Sequence, residues 1–107
     1  MSVNVSIIRS PRKGKAFRAV FVRLRDAQKT HTDFGSSLHN NFTEHHDEER
    51  KRRFLTRFRS LIEQHKDNPQ APITLSTWLL WNRPTLEKSF NDYVKHFHLR
   101  GKIDLIT

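Results

Sequence analysis

The sequence contains no cysteine, which excludes disulfides and thiolate metal sites and makes a reducing compartment the natural setting. Only three glycines are present, Gly14, Gly35 and Gly101, spread too far apart to cradle a phosphate in a Walker-type loop. No apolar run approaches the roughly 20 residues that a membrane-spanning helix needs. The first residues, MSVNVSIIRS, lack the charge-then-apolar order of a signal peptide, so a soluble protein of intracellular origin is expected. One absence is local. Residues 1–25 hold no acid, against seven basic side chains: Arg9, Arg12, Lys13, Lys15, Arg18, Arg23 and Arg25.

That asymmetry accounts for most of the net charge of +9 on the 107-residue chain. The remaining 82 residues hold 13 basic and 11 acidic groups and are nearly balanced. A basic front end attracts polyanions or acidic protein surfaces. Ordinary solubility is the plain alternative. The length fits one domain, with roughly two-thirds of the unfolded surface buried on folding. Three parts are expected within it: a basic β-rich front end (1–35), a helical part (45–99) and a tail (100–107).

Val3, Val5 and Ile7 alternate with polar residues and read as a strand over 3–9. Ser10-Pro11-Arg12-Lys13-Gly14-Lys15 is a turn, and Phe17, Ala19 and Phe21 mark a second strand over 16–24. The pair makes an antiparallel hairpin whose loop projects Arg12, Lys13 and Lys15. A lone hairpin is marginal, so a third strand at 30–34, ended by Gly35, or a covering helix is needed. Residues 35–44 read as loop or a short helical turn.

The longest helical pattern runs over 47–66. Phe54, Leu55, Phe58, Leu61 and Ile62 share one side of it, and Arg50, Arg53 and Arg57 form a charged stripe. Asp47, Glu48 and Glu49 place negative charge at its start, where the helix leaves free N–H groups. Asp67 to Pro72 is a break. A short helix at 74–81 is apolar most of the way round and carries both tryptophans, Trp78 and Trp81, as core or as a partner pocket. The last helix, 84–99, starts near Asn82 or Thr85 and presents Leu86, Phe90, Tyr93, Val94 and Phe97 on one stripe, with Gly101 suited to its stop. Residues 102–107 alternate weakly, as an added edge strand would.

The expected fold is therefore α+β: a small N-terminal antiparallel hairpin or three-stranded sheet packed on two longer helices and one short one. The expected core is Phe17, Phe21, Phe54, Phe58, Leu61, Trp78, Trp81, Phe90, Val94 and Phe97.

The chemistry-bearing residues form no catalytic pattern. His39, His45 and His46 lie near Asp47, and His96 and His98 flank Phe97, but no HExxH or Cys–His spacing accompanies them. Local hydrogen bonding at a helix start suits His45 and Asp47 better. No serine sits in a Gly-rich elbow. No catalytic residue, cofactor or metal is expected. Contacts to a polyanion or acidic partner fall to Arg12, Lys13, Lys15, Arg18, Arg50, Arg53 and Arg57. For the helix stripe, a solvated face paired with Asp47 and Glu49 is the competing reading.

Several strings together resemble an uncharacterised family of short basic proteins encoded by large nucleocytoplasmic DNA viruses of algae and protists. They are Phe34-Gly35, the run His45 to Lys51 with Phe54 and Arg57 after it, the run Ser76 to Leu86 (STWLLWNRPTL), and Ser89. Three positions depart from the family pattern: Phe58 in place of a histidine, Glu63-Gln64 where a tryptophan tends to stand, and Leu75 in place of a glycine. The resemblance brings no catalytic residues. It implies a non-enzymatic virion component, made in the cytoplasm of an infected host cell. With the size and charge, it points to a minor capsid protein that bridges larger capsid subunits, major or minor, inside the shell. The alternative is a non-specific DNA-binding or genome-condensing protein acting through the basic hairpin. The near-neutral stretch 26–107 favours the adaptor, since a condensing protein spreads its charge along its length.

Overall fold

The structure, a computed structural model, describes residues 3–105. The fold is α+β, with strands β1 (Val3–Arg9), β2 (Lys15–Arg23) and β3 (Gln28–Ser36) leading the chain. Helices α1 (Phe42–His45), α2 (Glu48–Arg57), α3 (Arg59–Gln64), α4 (Pro72–Leu80) and α5 (Leu86–Phe97) follow, and β4 (Arg100–Ile103) closes it. The sheet order is β3-β2-β1-β4. The first three strands are antiparallel, with Val5 opposite Phe21 and Phe17 opposite Phe34. β4 joins the free edge of β1 in parallel, Val5 opposite Gly101.

The period-2 alternation sends Val5, Ile7, Ala19, Phe21 and Phe34 to one face, where Leu75, Leu79, Leu80, Phe90 and Tyr93 of the helices bury them. The core is thus a sheet-on-helix layer. Tyr93 reaches through it and donates its hydroxyl to the Pro69 carbonyl at 2.7 Å. Thr32 donates to the Gln70 carbonyl, and Thr74 to that of His65. These bonds hold the 65–71 linker on the domain.

Several expectations are corrected. The third strand runs from Gln28 to Ser36, so Gly35 lies inside it rather than ending it. The single helix expected over 47–66 is two, α2 and α3, meeting at Phe58, whose φ of −102° and ψ of 14° leave the helical range. Leu61, expected in the core, is 40 % exposed, because the turn at Phe58 rotates the apolar stripe and leaves Ile62 half-buried instead. Gly101 does not stop the last helix. His98 does so in the left-handed conformation, φ 56°, its N–H bonded to the Val94 carbonyl. Thr85, not Asn82, caps that helix by accepting from Lys88 N–H. Residues 102–103 belong to the added strand; Ile106 and Thr107 lie outside the described residues.

Candidate functional site: a basic groove with an apolar floor

A cavity of about 750 Å³ opens between the end of β3, α2, α3 and α4. Ligand clefts span roughly 300–1,000 Å³, so the size suits a small ligand or a few side chains of a partner. Its floor is apolar. Phe34 and Leu80 contribute from the core, Phe54, Phe58 and Leu61 from α2 and α3, and Ile73 and Trp81 from α4 and its end. Phe54 lies flat on Trp81, centroids 4.5 Å apart and planes within 6°, and Phe58 tilts against Phe54 at 4.9 Å. The aromatic stripe read from the sequence as core is therefore the wall of a groove, half-buried rather than sealed.

The rim is cationic. Lys15, Arg50, Arg53 and Arg57 all line the cavity, and among the described residues no aspartate or glutamate does. α2 delivers the three arginines on one face because they stand at i, i+3 and i+7. The helix starts here because Asp47 accepts from Glu49 N–H at 3.0 Å and Arg50 N–H at 3.2 Å. Among the described residues, no carboxylate lies within ion-pair distance of Lys15, Arg50 or Arg57. Arg53 reaches Glu49 only at 3.7 Å, while Glu49 bonds Arg52, and Arg57 lies over the Phe58 ring. The competing reading, a face neutralised by its own acids, holds for Arg52 and in part for Arg53, but not for Arg50 or Arg57.

His45 closes the back of the groove wall. Its ring lies 5.3 Å from that of Trp81, and its Nδ1 accepts from Asp47 N–H at 2.9 Å, so the proton sits on Nε2. Burial, helped by the nearby Arg50 charge, lowers its pKa and keeps it neutral. Among the described residues, no group of three or more His, Asp or Glu side chains converges to hold a metal ion.

The predicted basic residues are thus divided among three places. Lys15 joins Arg50, Arg53 and Arg57 at the groove. Arg12 and Lys13 stand exposed at the hairpin tip, outside it. Arg18 is committed to Asp33, two bonds at 2.8 and 3.1 Å on the far face of the sheet. The tryptophans also separate: Trp81 lines the groove, while Trp78 stacks on His96 at 4.6 Å and packs against Phe97. Sequence reasoning missed Phe34, His39 and Asn41 as groove residues. One signal was available, the N-x-x-E spacing of Asn41 and Glu44, which forms a reciprocal capping box and fixes the corner where β3 passes into α1.

Residues 5–58 match the family of unknown function DUF5754. The chain belongs to that family. No curated protein and no solved structure matches it. The matched segment runs from Val5 within β1 through β2, β3, α1 and α2, and ends at Phe58, where the helix turns. It supplies all four rim cations and the Phe34, Phe54 and Phe58 part of the floor. Leu61, Ile73, Leu80 and Trp81 complete the groove from outside it.

Proposed function

We propose that this DUF5754 protein is a non-enzymatic adaptor whose groove seats an acidic, apolar-bearing segment of a partner protein. The observation that carries the reading is the pairing of four cations and no carboxylate with an apolar floor. A rim of one sign steers an oppositely charged partner and rejects like-charged ones. Large half-buried aromatics below it supply the kind of anchor that dominates binding energy. In the setting implied by the resemblance to large DNA virus proteins, the partner is a larger capsid subunit and the protein a minor capsid component bridging such subunits.

Two synthetic peptides test the groove, one alternating Glu with Leu and Phe, the other with every Glu replaced by Lys. The acidic peptide is expected to bind and to shift the fluorescence of Trp81, and Arg50→Glu with Arg53→Glu to reverse the preference. Equal binding of both peptides sinks the proposal. The virion setting has its own test: when virions are opened, the protein stays with the shell. If it leaves with the DNA and the shell survives its loss, the capsid role is wrong.

A further inference from the structure

The helices cover one face of the sheet, and strand register fixes what lies on the other. Lys29, Val22, Asn4 and Arg100 are cross-strand partners in one row over all four strands. His31, Val20, Ser6 and Lys102 form the next row. Paired residues point to the same side. The residues between these rows, Val5 and Phe21, are sealed in the core, so the rows face outward. Val20 and Val22 are only half-buried and stand apart from the core cluster.

The charge on this open face is ordered. Lys29 marks the β3 edge, and Arg100 and Lys102 the β4 edge, all exposed and, among the described residues, without an acidic partner within ion-pair distance. Between the edges the floor of these rows is uncharged. A carboxylate enters in the third row, Asp33, and Arg18 and Ser10 occupy it. Three strand spacings put the two cationic edges about 14 Å apart, and successive cations on β4 lie about 6.6 Å apart. Exposed Arg12 and Lys13 stand past the third row at the hairpin tip.

Cations on both edges of an uncharged floor, Lys29 on one and Arg100 with Lys102 on the other, complement an anion that carries its charge in two lines. Duplex DNA does so, with phosphate strands bordering a major groove about 12 Å wide. Long lysine and arginine side chains absorb the small difference in width. Single strands are held by stacking bases on aromatic rings, and these two rows carry no Phe, Tyr or Trp, only the single imidazole of His31 at the β3 edge. We infer that the open face of the sheet is a platform for a nucleic-acid duplex, gripping its phosphates without reading sequence. It is independent of the groove and lies on the opposite side of the sheet from the helices.

The test uses the full chain and a labelled B-form duplex of about 20 base pairs, titrated by fluorescence anisotropy between about 50 and 200 mM salt. Replacing Lys29, Arg100 and Lys102 by glutamine should weaken binding and flatten the log K against log salt slope by about 2.7, at about 0.9 per lost phosphate contact. Arg50→Gln, in the groove, should leave that slope unchanged. Scrambling the duplex should change nothing, and a single strand of equal length should bind more weakly. Circular dichroism of the triple variant, whose changes are confined to exposed side chains, should match the parent. An unchanged slope in the triple variant overturns the inference, as does a flattened slope in Arg50→Gln. Polyglutamate of matched charge binding as tightly as the duplex also overturns it and reassigns the face to acidic protein.

Discussion

Gly35 and Gly101 are constrained for different reasons, and each yields a prediction. Gly35 has φ 79°, and a Cβ there would stand 2.8 Å from Leu80 Cδ1, at the groove floor. Gly35→Ala combines a left-handed penalty of about 1–2 kcal/mol with that clash, so a loss of roughly 2 kcal/mol or more is expected in denaturant unfolding. At Gly101 the obstacle is space. A Cβ would fall 1.8 Å from the Val5 carbonyl oxygen, so Gly101→Ala should detach β4 and speed amide exchange in β1. The sequence shows three glycines but not which conformation each serves, since strand register across 96 residues decides that Gly101 meets Val5. Asp33 supplies a pH dependence. The Arg18 guanidinium lowers its pKa from 3.8 to about 2 against the opposing effect of burial, with Ser10 assisting. A carboxylate lowered on folding stabilises above its unfolded pKa and loses that contribution as pH falls through the folded one. The stability difference between the parent and Asp33→Asn, on the order of 1–2 kcal/mol at neutral pH, should therefore close between about pH 4 and 2. A difference that persists at pH 2 would show that packing, not ionisation, is responsible.

At the scale of elements, strands and helix starts were the most legible features, because alternation and capping act over a few residues. The Val3–Arg9 strand, the Arg12–Lys15 turn and the Asp47 helix start all follow from local chemistry. The break at Phe58 was not legible, for no glycine or proline marks it. It follows from tertiary packing, in which Phe54 stacks on Trp81 and Phe58 tilts against Phe54 while α3 turns onto α4. The candidate site was half legible for the same reason: the arginine stripe and Trp81 were visible as patterns, but which apolar residues stay uncovered depends on that turn. The α1 corner gives the prediction here. Asn41 accepts from Thr43 N–H at 3.0 Å, and Glu44 accepts from Asn41 N–H at 3.1 Å. Asn41→Ala should cost about 1 kcal/mol, seen as a lower unfolding midpoint, and should weaken groove binding because Asn41 lines it. Full retention of both would mean the box is not what fixes the corner.

For the whole molecule, the groove sets stability against binding. Arg50 is the third residue of α2, since its N–H is bonded by the Asp47 cap. A cation there opposes the positive end of the helix dipole, which costs about 0.3–1 kcal/mol at low salt. Arg53, three residues on, adds a like-charge pair worth a few tenths of a kcal/mol. No carboxylate among the described residues offsets either effect within ion-pair distance of Arg50. Glutamine at this position removes both penalties and is itself favoured there. Arg50→Gln should therefore raise stability by about 0.5–1 kcal/mol at low salt, roughly 2–8 °C in Tm for a domain of this size. The gain should shrink as salt rises toward 1 M, where the Debye length falls to about 3 Å. The same variant should bind the acidic peptide more weakly, the expected trade between a strained site and its function. Thermal unfolding at two salt concentrations, with peptide affinity measured on the same samples, reads both effects. If Arg50→Gln lowers Tm at low salt, the arginine is held by contacts that stabilise the fold, and the picture of a rim of uncompensated charge kept for a partner fails.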